Sequence, residues 1–245
     1  MKYHICHWEK PKEEQHISLK KNDLHIWKIN LLENKSIDSL YELLSHDERA
    51  RAKRFHFKEH SRRFIVSHGM LRQILACYVN VSADTLTFSY TEKGKPELLN
   101  SHNHIRFNLS HSHEMALVGV LIEVPIGIDI EYLPKETDVD GLAKRFFSSQ
   151  EYEQLSKIPN SIKQEAFFRI WTLKEAYLKA TGEGIAGLES VEVMCAVESP
   201  PEFVKINGSS EESQRWSVYS LKPEEDYIAS VVVKKSGHTI QYFIP

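Results

Sequence analysis

The sequence Gly127-Ile128-Asp129-Ile130-Glu131 alternates apolar and acidic residues with a period of two. Because successive side chains of a β-strand point to opposite faces, the pattern predicts a strand whose isoleucines enter a core. Asp129 and Glu131 then lie together on the other face. A half-buried edge strand with a solvated acidic face shows the same alternation, so on spacing alone both interpretations stay open.

A helical pattern follows in Trp171-Thr172-Leu173-Lys174-Glu175-Ala176-Tyr177-Leu178-Lys179. Glu175 and Lys179 share a helix face, with aromatic residues one and two turns before them. If this helix packs beside the acidic strand, Glu175 joins the two carboxylates. Three clustered carboxylates repel one another unless a cation lies between them, and an all-oxygen site suits Mg²⁺, with Lys179 placed to meet a phosphate. A surface ion pair of Glu175 and Lys179, worth about 0.2–0.5 kcal/mol, is the alternative.

The order of the predicted elements repeats along the chain. In each half we predict a strand, a short helix, a helix opened by a capping box, a long helix and then further strands. The first half has these elements at 24–31, 40–44, from Ser45 to Glu48, 61–78, 85–90, 105–109 and 116–122. The second half has them at 126–130, 142–147, from Ser148 to Glu151, 162–180, 191–197, 216–221 and 227–233, with a polar loop at 207–214.

This repetition predicts an α+β fold of two similar lobes related by a pseudo-twofold axis. Pro125 falls between two predicted strands, so we place the boundary there and expect lobes at 1–124 and 125–245.

Composition narrows the function classes. The chain has 245 residues, 41% of them hydrophobic, which is enough for an ordinary globular core. A formal net charge of −3 gives no global support for binding nucleic acid or an anionic membrane. Cys6, Cys77 and Cys195 form no C-x-x-C pair, which is typical of reduced thiols. No apolar run approaches a membrane span, so we expect a cytoplasmic protein.

Four sequence blocks, in this order, resemble the Sfp-type 4′-phosphopantetheinyl transferases. They are Phe107-Asn108-Leu109-Ser110-His111-Ser112, Ile126-Gly127-Ile128-Asp129-Ile130-Glu131, Arg145-Phe146-Phe147-Ser148 and Trp171-Thr172-Leu173-Lys174-Glu175-Ala176-Tyr177-Leu178-Lys179, preceded by Gly94-Lys95-Pro96. The resemblance covers roughly residues 45 to 185. It implies an enzyme that moves the phosphopantetheine arm of coenzyme A to a serine of an apo acyl or peptidyl carrier protein and releases adenosine 3′,5′-bisphosphate.

The resemblance also implies roles for individual residues. Asp129, Glu131 and Glu175 would hold Mg²⁺ at the pyrophosphate, where Lys179 would add a positive charge. The partner supplies the serine nucleophile, and Glu151 is the candidate base by its position in the third block. Glu151 could equally serve only as the last residue of its capping box, and a serine activated by the metal could do without a dedicated base.

The 3′-phosphate and pyrophosphate of coenzyme A call for their own cations. By resemblance, the cofactor site includes Lys95, Pro96, Ser110 and His111. The most basic stretch of the chain runs from Arg49 to Arg63, and within it we expect Arg51 and Arg63 to contact the cofactor. A solvated loop lysine, ordinary turn residues and a solvated helix face are the alternatives. Glu48 departs from the family pattern, because some relatives carry a cation there.

Parts of the sequence are also compatible with two other classes of function. The chain has 13 histidines, and a zinc-dependent hydrolase could use a cluster of His102, His104, His111 and His113. Loop histidines in a polar stretch are more often solvated. A non-catalytic module that binds coenzyme A or a carrier protein is the second alternative, which the presence of Asp129, Glu131, Glu175 and Lys179 disfavours. Two lobes in one chain suggest a monomer.

Overall fold

The computed structural model describes residues 3–11, 17–32, 36–99, 104–134, 136–194 and 199–245. The first half of the chain contains β1 (Asp23–Asn30), α1 (Ile37–Leu43), α2 (His46–Arg54), α3 (Lys58–Val79), β2 (Phe88–Tyr90), β3 (Pro96–Leu98), β4 (Ile105–Ser112) and β5 (Met115–Ile122). The second half contains β6 (Ile126–Tyr132), α4 (Val139–Phe146), α5 (Ser149–Ser156), α6 (Asn160–Thr181), β7 (Val191–Met194), β8 (Glu202–Ile206), α7 (Ser210–Ser213), β9 (Trp216–Leu221), β10 (Tyr227–Lys234) and β11 (Thr239–Phe243).

Two main sheets form the centre of the molecule. The first has the order β11-β1-β5-β4 and the second the order β6-β10-β9. Each sheet packs one face against the long helix of its own half, α3 or α6, in a separate hydrophobic core. Their other faces share a third core, in which Leu24 and Leu117 of the first sheet meet Ile128 and Val231 of the second. The layers are therefore helix, sheet, sheet and helix.

The two halves repeat one arrangement, which confirms the predicted α+β fold. In the first half β1 pairs antiparallel with β5, which pairs in turn with β4, and in the second half β6 pairs antiparallel with β10, which pairs in turn with β9. The long helices correspond residue by residue at an offset of 102, so that Asn160 corresponds to Lys58 and Thr181 to Val79. Even their ends correspond, since Asn80 and Gly182 both adopt left-handed backbone conformations with φ of 55° and 78°.

Both ends of the described chain cross between the halves. β11, from the second half, pairs in parallel with β1 of the first sheet. The amide of His4 donates to the carbonyl of Ser220 at 2.8 Å, so the N-terminal segment lies against β9. The two halves therefore exchange their terminal segments, and a boundary at 124/125 stays a prediction from the sequence.

Several predicted boundaries differ from the observed ones. The strand predicted at 85–90 is limited to β2, because a short 3₁₀ helix ends at Thr85. The polar loop predicted at 207–214 contains α7, which Ser209 caps by accepting from Glu212 N. Cys195 and the end of the strand predicted at 191–197 lie outside the described residues, whereas Cys77 Sγ donates to the carbonyl of Gln73 at 3.3 Å. None of the helices in the described ranges is long and apolar enough to cross a membrane.

Candidate active site

The site begins at the seam between the two sheets, where the edge strands β4 and β6 lie side by side. Alternate side chains of β4 cross the seam and accept hydrogen bonds from the backbone of β6. Asn108 Oδ1, Ser110 Oγ and Ser112 Oγ accept at 2.9, 3.4 and 3.1 Å from the amides of Ile128, Ile130 and Tyr132, respectively. These side chains fix β6 against the first half of the molecule, and with it the carboxylates that β6 carries.

Helix α6 lies unusually close to β6 because Gly127 has no side chain. A Cβ atom at this position would lie 1.8 Å from the carbonyl oxygen of Ala176. Gly127, Asp129 and Glu131 alternate along one face of β6, the face that α6 covers. The glycine therefore lets the helix approach until its own polar residues, Glu175 and Lys179, reach the acidic side chains of the strand.

The three predicted carboxylates have different partners. Asp129 Oδ1 accepts from Lys179 Nζ at 2.5 Å and from Ser110 Oγ at 3.0 Å. Glu131 Oε2 accepts from Ser112 Oγ at 2.8 Å. Asp129 Oδ2 and Glu175 Oε1 are buried and have no hydrogen-bond partner within the described part of the chain. The site thus presents acceptor oxygens that lack donors.

The electrostatics of these groups agree with this imbalance. Burial raises the pKa of Glu131 to about 7, and the charge of Asp129 adds to the shift. Burial and Asp129 also raise the pKa of Glu175. The pKa of Asp129 is raised by burial, although Lys179 and Ser110 oppose the shift. One ammonium group therefore offsets only part of the charge of three carboxylates.

A hard divalent cation fits this donor set, because the unpartnered atoms are carboxylate oxygens that burial and mutual repulsion destabilise. No three acidic, histidine or cysteine side chains of the described ranges are arranged as a metal-binding group, and Lys179 Nζ is bound to Asp129. A cation at this site would compete with the ammonium of Lys179 for Asp129.

A cavity of about 390 Å³ opens next to this cluster on the first half of the molecule. Its lining includes two arginines and three aromatic rings together with two carboxylates and two histidines, namely Arg51, Arg54, Phe64, Phe88, Tyr90, Asp47, Glu48, His68 and His111. Burial lowers the pKa of His111, and the nearby charges of Lys179, Arg51 and Arg63 lower it further. Lys179, Arg51 and Arg63 are therefore close enough to His111 to act on its titration, and Pro96 also lines the cavity.

His68 is a lining residue that the sequence analysis missed. Its ring stacks on Phe64 with centroids 3.8 Å apart, and its Nδ1 donates to the Phe64 carbonyl at 3.1 Å. Arg51 covers the same phenylalanine ring at 5.2 Å. The spacing of His68 four residues after Phe64 would have revealed the shared helix face, but not that this face lines a cavity.

Lys95 and Ser110 have partners other than the predicted phosphates. Lys95 Nζ donates to the carbonyl oxygens of Ile126 at 3.1 Å and Ala180 at 2.8 Å. Ser110 Oγ is held by Lys179 and Asp129. The Lys95 side chain thus extends to the start of β6 and the end of α6, while its neighbours Gly94 and Pro96 line the cavity.

The predicted base Glu151 is buried and fully hydrogen-bonded. Its carboxylate accepts from Lys174 Nζ at 2.8 and 3.0 Å, from Ser148 N at 2.8 Å and from Val193 N at 2.9 Å. This geometry favours the capping role over the role of a base. The same pattern occurs in the first half, where Glu48 closes the capping box of α2 and accepts from Arg72 Nε at 2.8 Å.

That arrangement also explains the departure noted at Glu48. Its side chain is 7% exposed and is turned inward to Arg72, which is 2% exposed. Glu48 therefore lines the cavity with its charge paired to a guanidinium. The sequence analysis missed Lys174 and Arg72, because each contacts its capping-box glutamate from a different helix.

The histidine cluster of the zinc alternative does not come together in the described residues. His102 lies outside them, and the ring of His113 stacks on Tyr132 at 4.5 Å. His104 is exposed, whereas His111 belongs to the cavity described above. The structure gives this alternative no support.

Comparisons with known proteins agree with the site. The model of the 4′-phosphopantetheinyl transferase superfamily matches residues 125–232, and a model named 4′-phosphopantetheinyl transferase, N-terminal, matches 33–121. The 4′-phosphopantetheinyl transferase HetI of Nostoc sp. is 43% identical over 224 residues, covering 90% of this chain and 92% of the relative.

Two further relatives are more distant. The 4′-phosphopantetheinyl transferase Sfp of Bacillus subtilis is 31% identical over 146 residues, which cover 58% of this chain and 62% of Sfp. The L-aminoadipate-semialdehyde dehydrogenase-phosphopantetheinyl transferase of Mus musculus is 28% identical over 212 residues, covering 77% of this chain and 66% of the mouse protein.

Proposed function

The chain belongs to the 4′-phosphopantetheinyl transferase superfamily, and from this we propose that it uses coenzyme A to modify an apo acyl or peptidyl carrier protein. In the proposed reaction the serine oxygen of the carrier forms a bond to the β-phosphorus of coenzyme A. The bond from that phosphorus to the bridging oxygen breaks, adenosine 3′,5′-bisphosphate leaves, and the serine proton is lost.

The observation that carries the proposal is the junction of two environments. Buried carboxylate oxygens that have no donor among the described residues lie on Asp129 and Glu175. Beside them opens a cavity whose lining includes arginines and aromatic rings, together with Asp47 and Glu48. The first environment suits a divalent cation and the second an adenine nucleotide with several phosphates. Coenzyme A has this nucleotide at one end and a transferable phosphoryl group next to it.

We assign the metal to Asp129, Glu131 and Glu175. When bound, Mg²⁺ would neutralise charge on the pyrophosphate oxygens and on the leaving bisphosphate. Lys179 holds Asp129 in the structure, and we propose that it turns to a phosphate oxygen when a cation replaces it. Arg51, Arg63 and His111 would bind the nucleotide phosphates, and the aromatic side chains of the cavity would contact its base.

The partner, the location and the assembly of the protein are part of the same proposal. Both repeats supply residues to the site from one chain, so a monomer suffices, and we place it in the cytoplasm. Analytical ultracentrifugation tests the first statement, and cell fractionation tests the second.

Mass spectrometry of apo carrier proteins tests the reaction. Each carrier is incubated with the protein, coenzyme A and Mg²⁺, and we expect one phosphopantetheine group on its serine. A reaction without coenzyme A and one with a metal chelator serve as controls. Retained binding of coenzyme A without transfer to any of several carriers would favour the non-catalytic alternative.

A further inference from the structure

Lys95 connects the first half of the molecule to the end of α6. It lies in the turn between β2 and β3, where Thr91 fixes its backbone: Thr91 N donates to Lys95 O at 2.9 Å, and Lys95 N donates to Thr91 Oγ1 at 3.0 Å. Both the amide and the carbonyl of Lys95 are thus bonded to Thr91. The backbone position from which the Lys95 side chain extends is therefore fixed.

The ammonium of Lys95 satisfies backbone carbonyls of the second half. It donates to Ile126 O at the start of β6 and to Ala180 O in the last turn of α6. The last carbonyls of a helix have no partner within the helix, and they form the negative end of its dipole. Leu178 O is already bound by the amides of Gly182 and Glu183. Lys95 therefore supplies a donor from the other half of the molecule to a neighbouring carbonyl.

The surroundings of this contact are tightly defined. Burial lowers the pKa of Lys95 to about 8, and none of the ion pairs within the described ranges includes it. Two carbonyl oxygens can replace the water around a buried ammonium only if they are held at fixed positions. The side-chain amine of Lys95 would keep two N–H donors even when neutral, so its two hydrogen bonds do not depend on its charge alone.

The same turn also faces the cavity. Gly94 and Pro96 line the cavity on either side of Lys95, whose side chain leaves in the direction of α6. Lys179 is the residue directly before Ala180, and Glu175 lies about one turn earlier on the helix. The position of the helix end therefore bears on both polar groups that α6 brings to Asp129.

We propose that Lys95 is a positioning residue that caps α6 across the boundary between the two halves and so aligns Lys179 and Glu175 with β6. A ligand that contacts the turn at Gly94 and Pro96 would then be coupled to the carboxylate cluster through this side chain. The capping role stands on the structure alone, whereas the consequence for transfer rests on the proposed function.

Hydrogen exchange of the ligand-free protein tests the cap directly. Lys95→Met keeps the aliphatic chain and removes the donor, and Lys93→Met is the matched control because Lys93 is an exposed lysine of the same turn. In Lys95→Met the amides of residues 178–183 should exchange roughly tenfold faster, which is the effect of losing one charged hydrogen bond. Lys93→Met should exchange like the wild type. Unchanged exchange in Lys95→Met would overturn the capping role.

Transfer kinetics distinguish positioning from phosphate binding. With Lys95→Met we expect kcat to fall by about tenfold, the effect of a hydrogen bond lost at a distance from the reacting atoms. The preference for coenzyme A over 3′-dephospho-coenzyme A should match that of the wild type. Loss of this preference would show that Lys95 meets the 3′-phosphate, and would overturn the proposal.

Lys95→Arg keeps the measurements decisive if Lys95→Met does not fold. The arginine retains donors at the end of a long side chain, so it should restore protection of the α6 end at least in part. The capping role is wrong if a folded Lys95→Arg protein exchanges rapidly at the end of α6 and also loses its preference for coenzyme A over 3′-dephospho-coenzyme A. If the wild type transfers nothing, the proposed function fails, and the exchange experiment still decides the role of Lys95.

Discussion

Asp129 shows how a single carboxylate can be half satisfied. One oxygen accepts from both Lys179 and Ser110, whereas the other is buried without a donor in the described part of the chain. A buried acceptor without a partner typically costs about 1–3 kcal/mol, so folding accepts this cost at the seam between the sheets. Such a cost is expected where a ligand supplies the missing partner.

Glu175 allows the cleaner test of the carboxylate cluster, since no described residue forms a hydrogen bond with its buried Oε1. Glu175→Gln removes a carboxylate whose pKa is raised by burial and by Asp129, so repulsion in the ligand-free protein falls. We expect an unchanged or higher melting temperature, together with loss of transfer and of stabilisation by Mg²⁺. Calorimetry with and without Mg²⁺ measures both.

The exposed Glu189 provides a matched control on the surface. Glu189→Gln should transfer at the wild-type rate and gain the same stabilisation from Mg²⁺. Wild-type transfer by Glu175→Gln at ordinary Mg²⁺ concentrations would remove Glu175 from the metal site.

Glu151 separates a structural role from a catalytic one. Glu151→Gln leaves the ammonium of Lys174, which is fully buried, without a counter-ion. Breaking a buried pair in this way typically costs about 3–5 kcal/mol. We therefore expect a lower free energy of unfolding in urea, which the sequence alone did not predict because Lys174 was not identified as a partner.

The double variant Glu151→Gln/Lys174→Met removes both charges at once. It should recover much of the lost stability, since replacing both members of a buried pair is often nearly neutral. If Glu151 only supports the fold, transfer recovers with stability. If Glu151 is the base, the stable double variant remains slower by roughly 10²–10⁴, the usual contribution of a general base.

The types and alternation of the site residues were predictable from the sequence, but the residues that they contact were not. A period of two correctly placed Asp129 and Glu131 on one face of β6. The contact of Lys179 with Asp129 depends on how closely α6 approaches that strand, and the contact of Lys95 with Ala180 depends on the packing of two halves. No local pattern encodes such distances.

At the scale of elements, the approach of α6 to β6 is the feature on which the site depends. Gly127→Ala places a methyl group against the backbone of Ala176, which cannot move aside as a flexible side chain can. Overpacking of this kind costs about 1–3 kcal/mol or more. We expect a lower free energy of unfolding and slower transfer, because displacement of the helix moves Glu175 and Lys179 away from β6.

Gly119→Ala is the control for the approach of α6. Its added Cβ would meet the terminal Cδ1 atom of Ile126 at 2.6 Å, the far end of a side chain that can rotate. The loss of stability should be smaller than in Gly127→Ala, and transfer should be closer to the wild-type rate. Equal effects of the two variants would show that close helix packing at Gly127 has no special importance.

Helices were easier to predict than strands for a physical reason. The long helices α3 and α6 each contain 22 residues, so their apolar period repeats several times, and capping boxes mark the helices before them. β3 has three residues, too few for a period, and was missed. β11 was missed as well, because its partner β1 lies at the other end of the chain.

The whole molecule uses two copies of one arrangement for different purposes. At the offset of 102 that relates α3 to α6, Glu175 corresponds to Gln73 and Lys179 to Cys77. The first strands follow the same offset, which pairs Asp129 with Trp27. The second half therefore carries the charged cluster, while Trp27 enters the hydrophobic core of the first half. The structural ion pairs behind the capping boxes are present in both halves.

His25 and His68 make the whole molecule sensitive to acid. Burial lowers the pKa of each to about 4, from an ordinary value near 6.5. Between these values the unfolded chain binds a proton at each position and the folded chain does not, so the free energy of unfolding falls as pH decreases from about 6.5 to 4. Each histidine contributes a slope of up to about 1.4 kcal/mol per pH unit.

Substitution isolates this contribution from that of the acidic cluster, whose raised pKa values give a slope of the opposite sign. In His25→Gln, where the amide can still accept from Tyr78, the dependence on pH should weaken by one histidine's share, and His25→Gln/His68→Gln should lose both shares. Exposed His56 is the control, since His56→Gln should follow the wild type. Urea unfolding at several pH values between 4 and 7 measures the slopes. A His25→Gln protein with the wild-type slope would mean that His25 is protonated in the folded state, and that the hydrogen bond between its Nδ1 and Tyr78 forms with the imidazolium.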